Sequence, residues 1–342
     1  MAAGPGRPDE LDALWMGQAL VLGEGVRAAT SPNPWVGAVV VPAGDGPIAE
    51  GATEPPGGAH AEVVALGLAG ASARGATVYV TLEPCSHHGR TPPCADALVA
   101  AGVARVVVGV NDPDPRVSGA GLARLRHSGV EVVEGVCAAE VAASLAPYLK
   151  HRRSGLPWVV LKLATTLDGR LAAPDGSSRW ITGPEARADA HRLRAESDAV
   201  VVGAGTVRAD DPALTVRHAN GRDPLRVVLG HPPRGARVHP ALVHDGDLGE
   251  LLALLGARGV LQVLVEGGGR TAHAFHAAGL VDRYVLYLAP SLLGGDDGVP
   301  MFAGPGAPSM DACWRGVLAG VRRLGDDLRI DLLARGDRTA VP

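Results

Sequence analysis

The chain of 342 residues carries 32 Lys and Arg against 36 Asp and Glu, a formal charge of −4, and 46% of it is hydrophobic. That length allows two domains of ordinary size, and so much apolar material excludes an intrinsically disordered chain. The slightly acidic balance argues against a nucleic-acid-coating protein, and Gly and Pro spread without a period exclude a collagen-like repeat.

The stretch Met1–Asp12 has no apolar run of signal-peptide length, and Pro32, Pro34 and Pro42 break the charge-free run Ala28–Gly44, so no membrane span is expected. Cys85, Cys94, Cys137 and Cys313 are too scattered for a disulfide framework. A soluble, cytoplasmic protein is expected.

The first half opens with an amphipathic helix, with Leu11, Leu14, Trp15 and Gln18 at helical spacing and Asp9 as a candidate cap. Strand-like apolar runs follow at Gly37–Val41, Ala76–Thr81, Arg105–Val110 and Val130–Val133. Helical patterns at Ala61–Ala69, Ala95–Ala101 and Gly119–Ser128 separate them. The charged stretch Lys150–Gly155, followed by Pro157, marks a boundary and gives domains 1–150 and 151–342. Beyond it, strands are expected at Trp158–Leu163, Ala199–Gly203, Leu225–Leu229, Val260–Val265 and Arg283–Leu288, with helices at Glu185–Glu196, Asp247–Arg258 and Thr271–Ala278. Between Gly230 and Gly259 there is little strand pattern. Val-rich runs alternating with helices predict two different α/β domains, their sheets covered by helices.

His60-Ala61-Glu62, Pro84-Cys85 and Cys94 form the first chemical constellation. One His and two Cys make a three-ligand zinc site with the fourth position left for water, the catalytic rather than the structural pattern. Glu62 stands two residues from the His, close enough to shuttle a proton. This is the His-x-Glu and Pro-Cys pattern of zinc nucleobase deaminases, except that eight residues, Ser86 to Pro93, separate the cysteines instead of two. His87 and His88 fall inside that interval, where they compete as candidate ligands but are read first as loop or substrate-pocket residues.

Ser31-Pro32-Asn33-Pro34-Trp35-Val36-Gly37-Ala38-Val39, His60-Ala61-Glu62 and the run from Thr81 to Cys94, ending Thr91-Pro92-Pro93-Cys94, closely resemble the riboflavin-biosynthesis deaminase family. The resemblance implies a cytidine-deaminase-like three-layer domain in which His60, Cys85 and Cys94 hold one zinc per chain. It further implies Glu62 as the proton shuttle and Asn33 as a hydrogen-bonding partner of the pyrimidine.

In the second half, Gly203-Ala204-Gly205 and Gly267-Gly268-Gly269 each stand between an apolar run and a helical pattern, where bare amides can cradle phosphate. The Rossmann fingerprint also needs an acidic residue about twenty positions on, at the end of the next strand, and after the second cluster Asp282 comes too early and precedes its strand. Lys162–Arg170, Trp180–Gly183, Gly205–Thr215 and Val265–Gly268 resemble the reductase domain of the same bifunctional family, dihydrofolate-reductase-like and NADPH-dependent. Position by position, the resemblance implies that Ala164, Trp180, Thr206 and Asp210 bind the dinucleotide, together with the loop Gly268, Gly269, Arg270, Thr271, Ala272, His273 and Ala274. Substrate is expected at Ser178, Arg194, Leu214, Arg217 and Glu266, the arginine forks suiting a ribose phosphate. Lys162 and Asp210 are the candidates for orienting or protonating substrate, and Arg270 for favouring the 2′-phosphate.

The expected activity is therefore zinc-dependent deamination of a diaminopyrimidinone ribosylamino phosphate, followed by NADPH reduction of its ribosyl group to ribityl. The expected partner is this small phosphorylated pyrimidine, with no nucleic acid, no membrane and a homo-oligomeric assembly. A nucleic-acid-editing deaminase would need a basic surface, short cysteine spacing and stacking aromatics, whereas aromatics make up only 3% of this chain. A structural zinc beside a binding-only domain would not need Glu62.

Overall fold

The computed structural model describes residues 10–86 and 92–335, so Asp9, His87, His88 and Thr91 lie outside the described residues. Two compact units divide between Gly155 and Leu156.

The first unit runs α1 (Glu10–Thr30), β1 (Gly37–Val41), β2 (Ala49–Ala52), α2 (Ala61–Ala69), β3 (Thr77–Leu82), α3 (Cys94–Ala101), β4 (Arg105–Val110), α4 (Ala120–His127), β5 (Glu131–Glu134), α5 (Ala138–Ser144) and α6 (Ala146–Ser154). Its sheet has the order β2-β1-β3-β4-β5, antiparallel on the β1 side and parallel through β3, β4 and β5. Val106, Val107 and Val108 are fully buried, as a parallel strand covered on both faces requires. The stretch Lys150–Ser154 is the end of α6, and the helix stops at the division between the units, where Gly155 turns left-handed at φ 72°.

The second unit runs β6 (Trp158–Thr166), β7 (Arg170–Ala172), α7 (Pro184–Ala195), β8 (Ala199–Gly203), α8 (Ala204–Asp210), β9 (Leu225–Leu229), β10 (Leu242–His244), α9 (Leu248–Ala257), β11 (Gln262–Val265), α10 (Gly269–Ala277), β12 (Arg283–Ala289), β13 (Val299–Pro300), β14 (Val317–Leu324) and β15 (Asp327–Leu333). Eight strands pair in the order β10-β9-β8-β11-β6-β12-β15-β14. The six from β10 to β12 are parallel, and β15 and β14 close the sheet antiparallel. Asp247 caps α9, its carboxylate accepting from Gly249 N–H at 2.7 Å and Glu250 N–H at 3.1 Å. The segment between Gly230 and Gly259 does hold a strand, β10. Its three residues pair parallel with Val227–Leu229, and so short an edge strand leaves little hydrophobic alternation to read.

Candidate functional site

In the first unit, three chain segments bring three metal-ligand side chains together. His60 is the residue before α2 in extended conformation, Cys94 is the first residue of α3, and Cys85 follows β3. His60 Nδ1 lies 3.2 Å from Cys94 Sγ and 3.6 Å from Cys85 Sγ, and the Cys94 N–H donates to Cys85 Sγ at 3.3 Å. All three ligand atoms lie within 4.8 Å of one another, the one such group among the described residues. A zinc ion bonded tetrahedrally to nitrogen and sulfur separates those atoms by about 3.6 Å, so the residues present fit it. Hydrogen bonds from Cys94 and, against burial, from His60 hold the Cys85 thiol down to about 4; the bond to Cys85 and burial push Cys94 up.

Glu62, in the first turn of α2, is 4% exposed, and burial pushes its carboxyl up to about 7. A group poised near neutrality is suited to handing a proton on. Both Glu62 and Asn33 open onto a cavity of about 370 Å³ beside His60 and Cys85.

Glu83 holds the opposite wall in place. Its carboxylate accepts from the N–H groups of Asp112 at 3.3 Å, Gly119 at 3.0 Å and Gly121 at 3.1 Å, tying the loop after β4 to the segment carrying Cys85. A Cβ at Gly121 would stand 1.9 Å from the Pro84 carbonyl oxygen, so only glycine lets α4 come this close to the residue before Cys85. That loop puts Asp112, Asp114 and Arg116 on the cavity, with Tyr148 and Arg152 facing it from α6. Tyr148 O–H donates to Asp112 at 2.9 Å, and burial pushes the Asp112 carboxyl up. The Arg116 guanidinium grips Asp114 at 3.0 and 2.6 Å and holds its carboxyl down at about 2.

The second unit has its own cavity, of about 1340 Å³, at the carboxyl ends of the parallel strands, where open α/β sheets bind ligands. Lys162 and Ala164 of β6, Thr206 and Asp210 of α8, and Gly268 and Gly269 at the start of α10 all line it. So do Ser178, Trp180, Leu214 and Arg217, and the α10 residues Arg270, Thr271 and Ala274. Two residues of the expected cofactor loop do not. Ala272 is fully buried in the apolar core with Phe275, and His273 turns to Gly304, because successive residues of a helix face different ways.

Arg194 and Glu266 both reach this cavity, but as an ion pair. The Arg194 guanidinium donates to Glu266 through Nε at 2.8 Å and Nη2 at 2.9 Å, and through Nη1 to the Thr215 carbonyl at 2.7 Å. The fork expected to hold a ribose phosphate is therefore occupied within the protein. Burial alone would raise the Glu266 carboxyl, but Arg194 and Lys162 outweigh it and hold it below the usual carboxylate range. Burial lowers the Lys162 ammonium, Glu266 opposing. His191, whose Nδ1 accepts the Arg217 N–H at 3.1 Å, is lowered to about 4 by burial and by the Arg194 and Arg217 charges.

Residues 10–110 match the cytidine and deoxycytidylate deaminase zinc-binding region, and residues 157–330 match the RibD C-terminal domain. The riboflavin biosynthesis protein RibD of Escherichia coli (strain K12) is 42% identical over 83% of this chain and 89% of its own.

The chain belongs to the RibD family.

RibD of Mycobacterium tuberculosis (strain CDC 1551 / Oshkosh) is 45% identical over 94% of this chain and 96% of its own. Acinetobacter baumannii RibD, form 1, superposes with a TM-score of 0.87 at 40% identity, covering 94% of this chain and 98% of that one. The Thermotoga maritima structure, titled a diaminohydroxyphosphoribosylaminopyrimidine deaminase and 5-amino-6-(5-phosphoribosylamino)uracil reductase, superposes at 0.85 with 33% identity, covering 95% of this chain and 99% of that one. RibD thus joins a zinc-binding deaminase domain to a reductase domain, and both carry over to this chain with their order intact.

Sequence reading missed Glu83, Asp112, Asp114 and Arg116. The run Asn111-Asp112-Pro113-Asp114-Pro115 directly after a buried parallel strand was the available signal, since such strands deliver ligand-binding residues at their carboxyl ends. Tyr148 and Arg152 carried no such signal, being set by the path of α6. Cys137 and Cys313 stand apart from the metal group, near the carbonyls of Ala13 and Ser309. Metal analysis is accordingly expected to show Cys85→Ser losing most of its zinc and Cys137→Ser retaining it. Loss of zinc from Cys137→Ser would refute the ligand set.

Proposed function

We propose that the first unit deaminates a diaminopyrimidinone ribosylamino phosphate and that the second reduces the product's ribosyl group to ribityl with NADPH. The convergence of His60, Cys85 and Cys94 beside the buried Glu62 carries this reading. When bound, zinc supplies an acidified water at neutral pH. Glu62 takes a proton from the attacking water and delivers it to the departing 2-amino nitrogen, which leaves as ammonia. Asn33 and the Asp112–Tyr148 pair stand where the pyrimidine edge enters.

In the second unit the glycine loop offers the bare amides of the α10 N-terminus to a diphosphate. NADPH, when bound, supplies the hydride. Lys162 and Asp210 flank the reacting end, Lys162 as a donor to the opened ribose oxygen. Glu266 is the counter-charge of Lys162. The reading extends to a cytoplasmic homo-oligomer acting on a small molecule; the net charge of −4 lacks the basic surplus of a nucleic-acid binder, and no described helix is long and apolar enough to cross a membrane.

Ammonia release from the synthetic pyrimidine substrate, with NADPH consumption followed in parallel, tests both halves. Gly268→Val separates them. A Cβ at Gly268 meets only the Thr206 hydroxyl, at 3.6 Å, so the fold tolerates it, whereas the same atom at Gly267 or Gly269 would collide with Thr271 or Pro300. The branched side chain fills the approach to the α10 amides. NADPH titration should show strongly weakened binding while ammonia release stays intact; unchanged affinity would remove this loop from the cofactor site.

A further inference from the structure

The Asp112 carboxylate is 6% exposed on the wall of the first unit's cavity, two residues beyond the end of β4. Arg116, on the same loop, spends its guanidinium on Asp114. The donors that meet Asp112 are neutral: the Asp114 N–H on Oδ1 at 2.9 Å and the Tyr148 hydroxyl on Oδ2 at 2.9 Å. Its own N–H is tied to Glu83 at 3.3 Å. Burying a carboxylate that neutral donors alone satisfy is costly, and such groups concentrate at functional sites. Burial and the Asp114 and Glu83 charges push this carboxyl up, and the two neutral donors oppose them.

With one bond on each oxygen, the carboxylate cannot turn about its Cβ–Cγ bond without breaking both, while each oxygen keeps a further lone pair for a ligand. Tyr148 is fixed in its turn. It is 4% exposed in the first turn of α6, and the Arg152 guanidinium covers its ring at 4.9 Å from the centroid. Burial and the neighbouring Asp112 charge raise its hydroxyl, so it stays a donor.

We infer that Tyr148 is a positioning residue of the deaminase: its hydroxyl holds the Asp112 carboxylate turned to accept an N–H of the diaminopyrimidinone. The inference rests on the deaminase reading above. That substrate carries N–H donors on its amino groups, and an acceptor fixed in advance binds them without a side chain having to be ordered first. Asp112 neither ligates the metal nor carries the proton, so its bond to substrate is made alike before and during the chemical step. Losing such a bond raises KM and spares kcat.

Steady-state ammonia release by the zinc-loaded, full-length protein tests this. Tyr148→Phe keeps the ring under Arg152 and removes only the donor. Its KM should rise about tenfold or more, the scale of a hydrogen bond to a charged group, with kcat close to wild type and one zinc per chain retained. Asp112→Ala should raise KM at least as far. Adding Tyr148→Phe to it should change nothing more, because the two residues act through one contact. An unchanged KM in Tyr148→Phe, a fall in kcat alone, as a mere prop of the fold would give, or effects that multiply in the double variant overturn the inference alone. Wild type releasing no ammonia overturns the deaminase reading and this inference with it.

Discussion

Glu62→Gln should slow ammonia release by roughly 10²–10⁴-fold, the range a positioned proton-transfer group contributes. The amide keeps the shape of the side chain in its buried place at the start of α2 but cannot accept a proton from water. Metal analysis should still find close to one zinc per chain, because His60, Cys85 and Cys94 are untouched. Reduction of pre-deaminated substrate should proceed at the wild-type rate, since its residues line a separate cavity in the other unit. A parallel fall in reduction would refute separate sites; loss of zinc would make Glu62 a support of the metal group instead of a proton carrier.

Glu266→Ala should have the largest effect on the stability of the second unit. Both members of the Glu266–Arg194 pair have side chains only 10% exposed, and Lys162 adds a second cation with the same counter-charge. Removing the carboxylate leaves the guanidinium buried and unpaired, at a cost of about 3–5 kcal/mol. Two units need not unfold together, so the readout is the thermal transition belonging to residues 156–335, with ammonia release reporting that the first unit is intact. Glu266 is held below the usual carboxylate range, so its contribution is full above an unfolded value of about 4.3 and fades as pH falls through the lower folded value. The gap between wild type and Glu266→Ala should therefore narrow on acidification. Reduction should be lost even where the variant remains folded. A variant that melts with wild type at neutral pH would show the pair to be stabilising nothing.

The elements legible in the sequence were those with a buried apolar centre. Gly37–Val41, Arg105–Val110, Ala199–Gly203 and Leu225–Leu229 stand as strands, and Ala61–Ala69 as a helix, within the bounds their patterns indicate. Arg105–Val110 and Ala199–Gly203 read as nearly unbroken apolar runs because both faces are covered. The candidate metal group was equally legible, because His60 and Cys94 stand at helix starts and Cys85 follows a strand, and the long inter-cysteine interval pointed to one family.

What escaped is where burial is polar or partners are distant. The hairpin of β14 and β15 inverts the usual alternation: Asp327, Arg329 and Asp331 are the buried residues of β15, while Leu328 is exposed. Those charges neutralise one another and α7 across the chain, with Arg329 to Asp189 at 2.5 Å, Arg329 to Asp331 at 2.9 Å and Arg283 to Asp331 at 2.7 Å. A pattern of hydrophobicity cannot register a strand whose inward face is ionic. In the same way, the sequence put Arg194 and Glu266 in the reductase site, but only the tertiary structure paired them, because their partnership spans 72 positions and depends on α7 passing the end of β11. Composition and spacing determined the two α/β domains and singled out the His60, Cys85 and Cys94 group with Glu62 beside it. Packing decided that Arg194 is already bound to Glu266 within the protein.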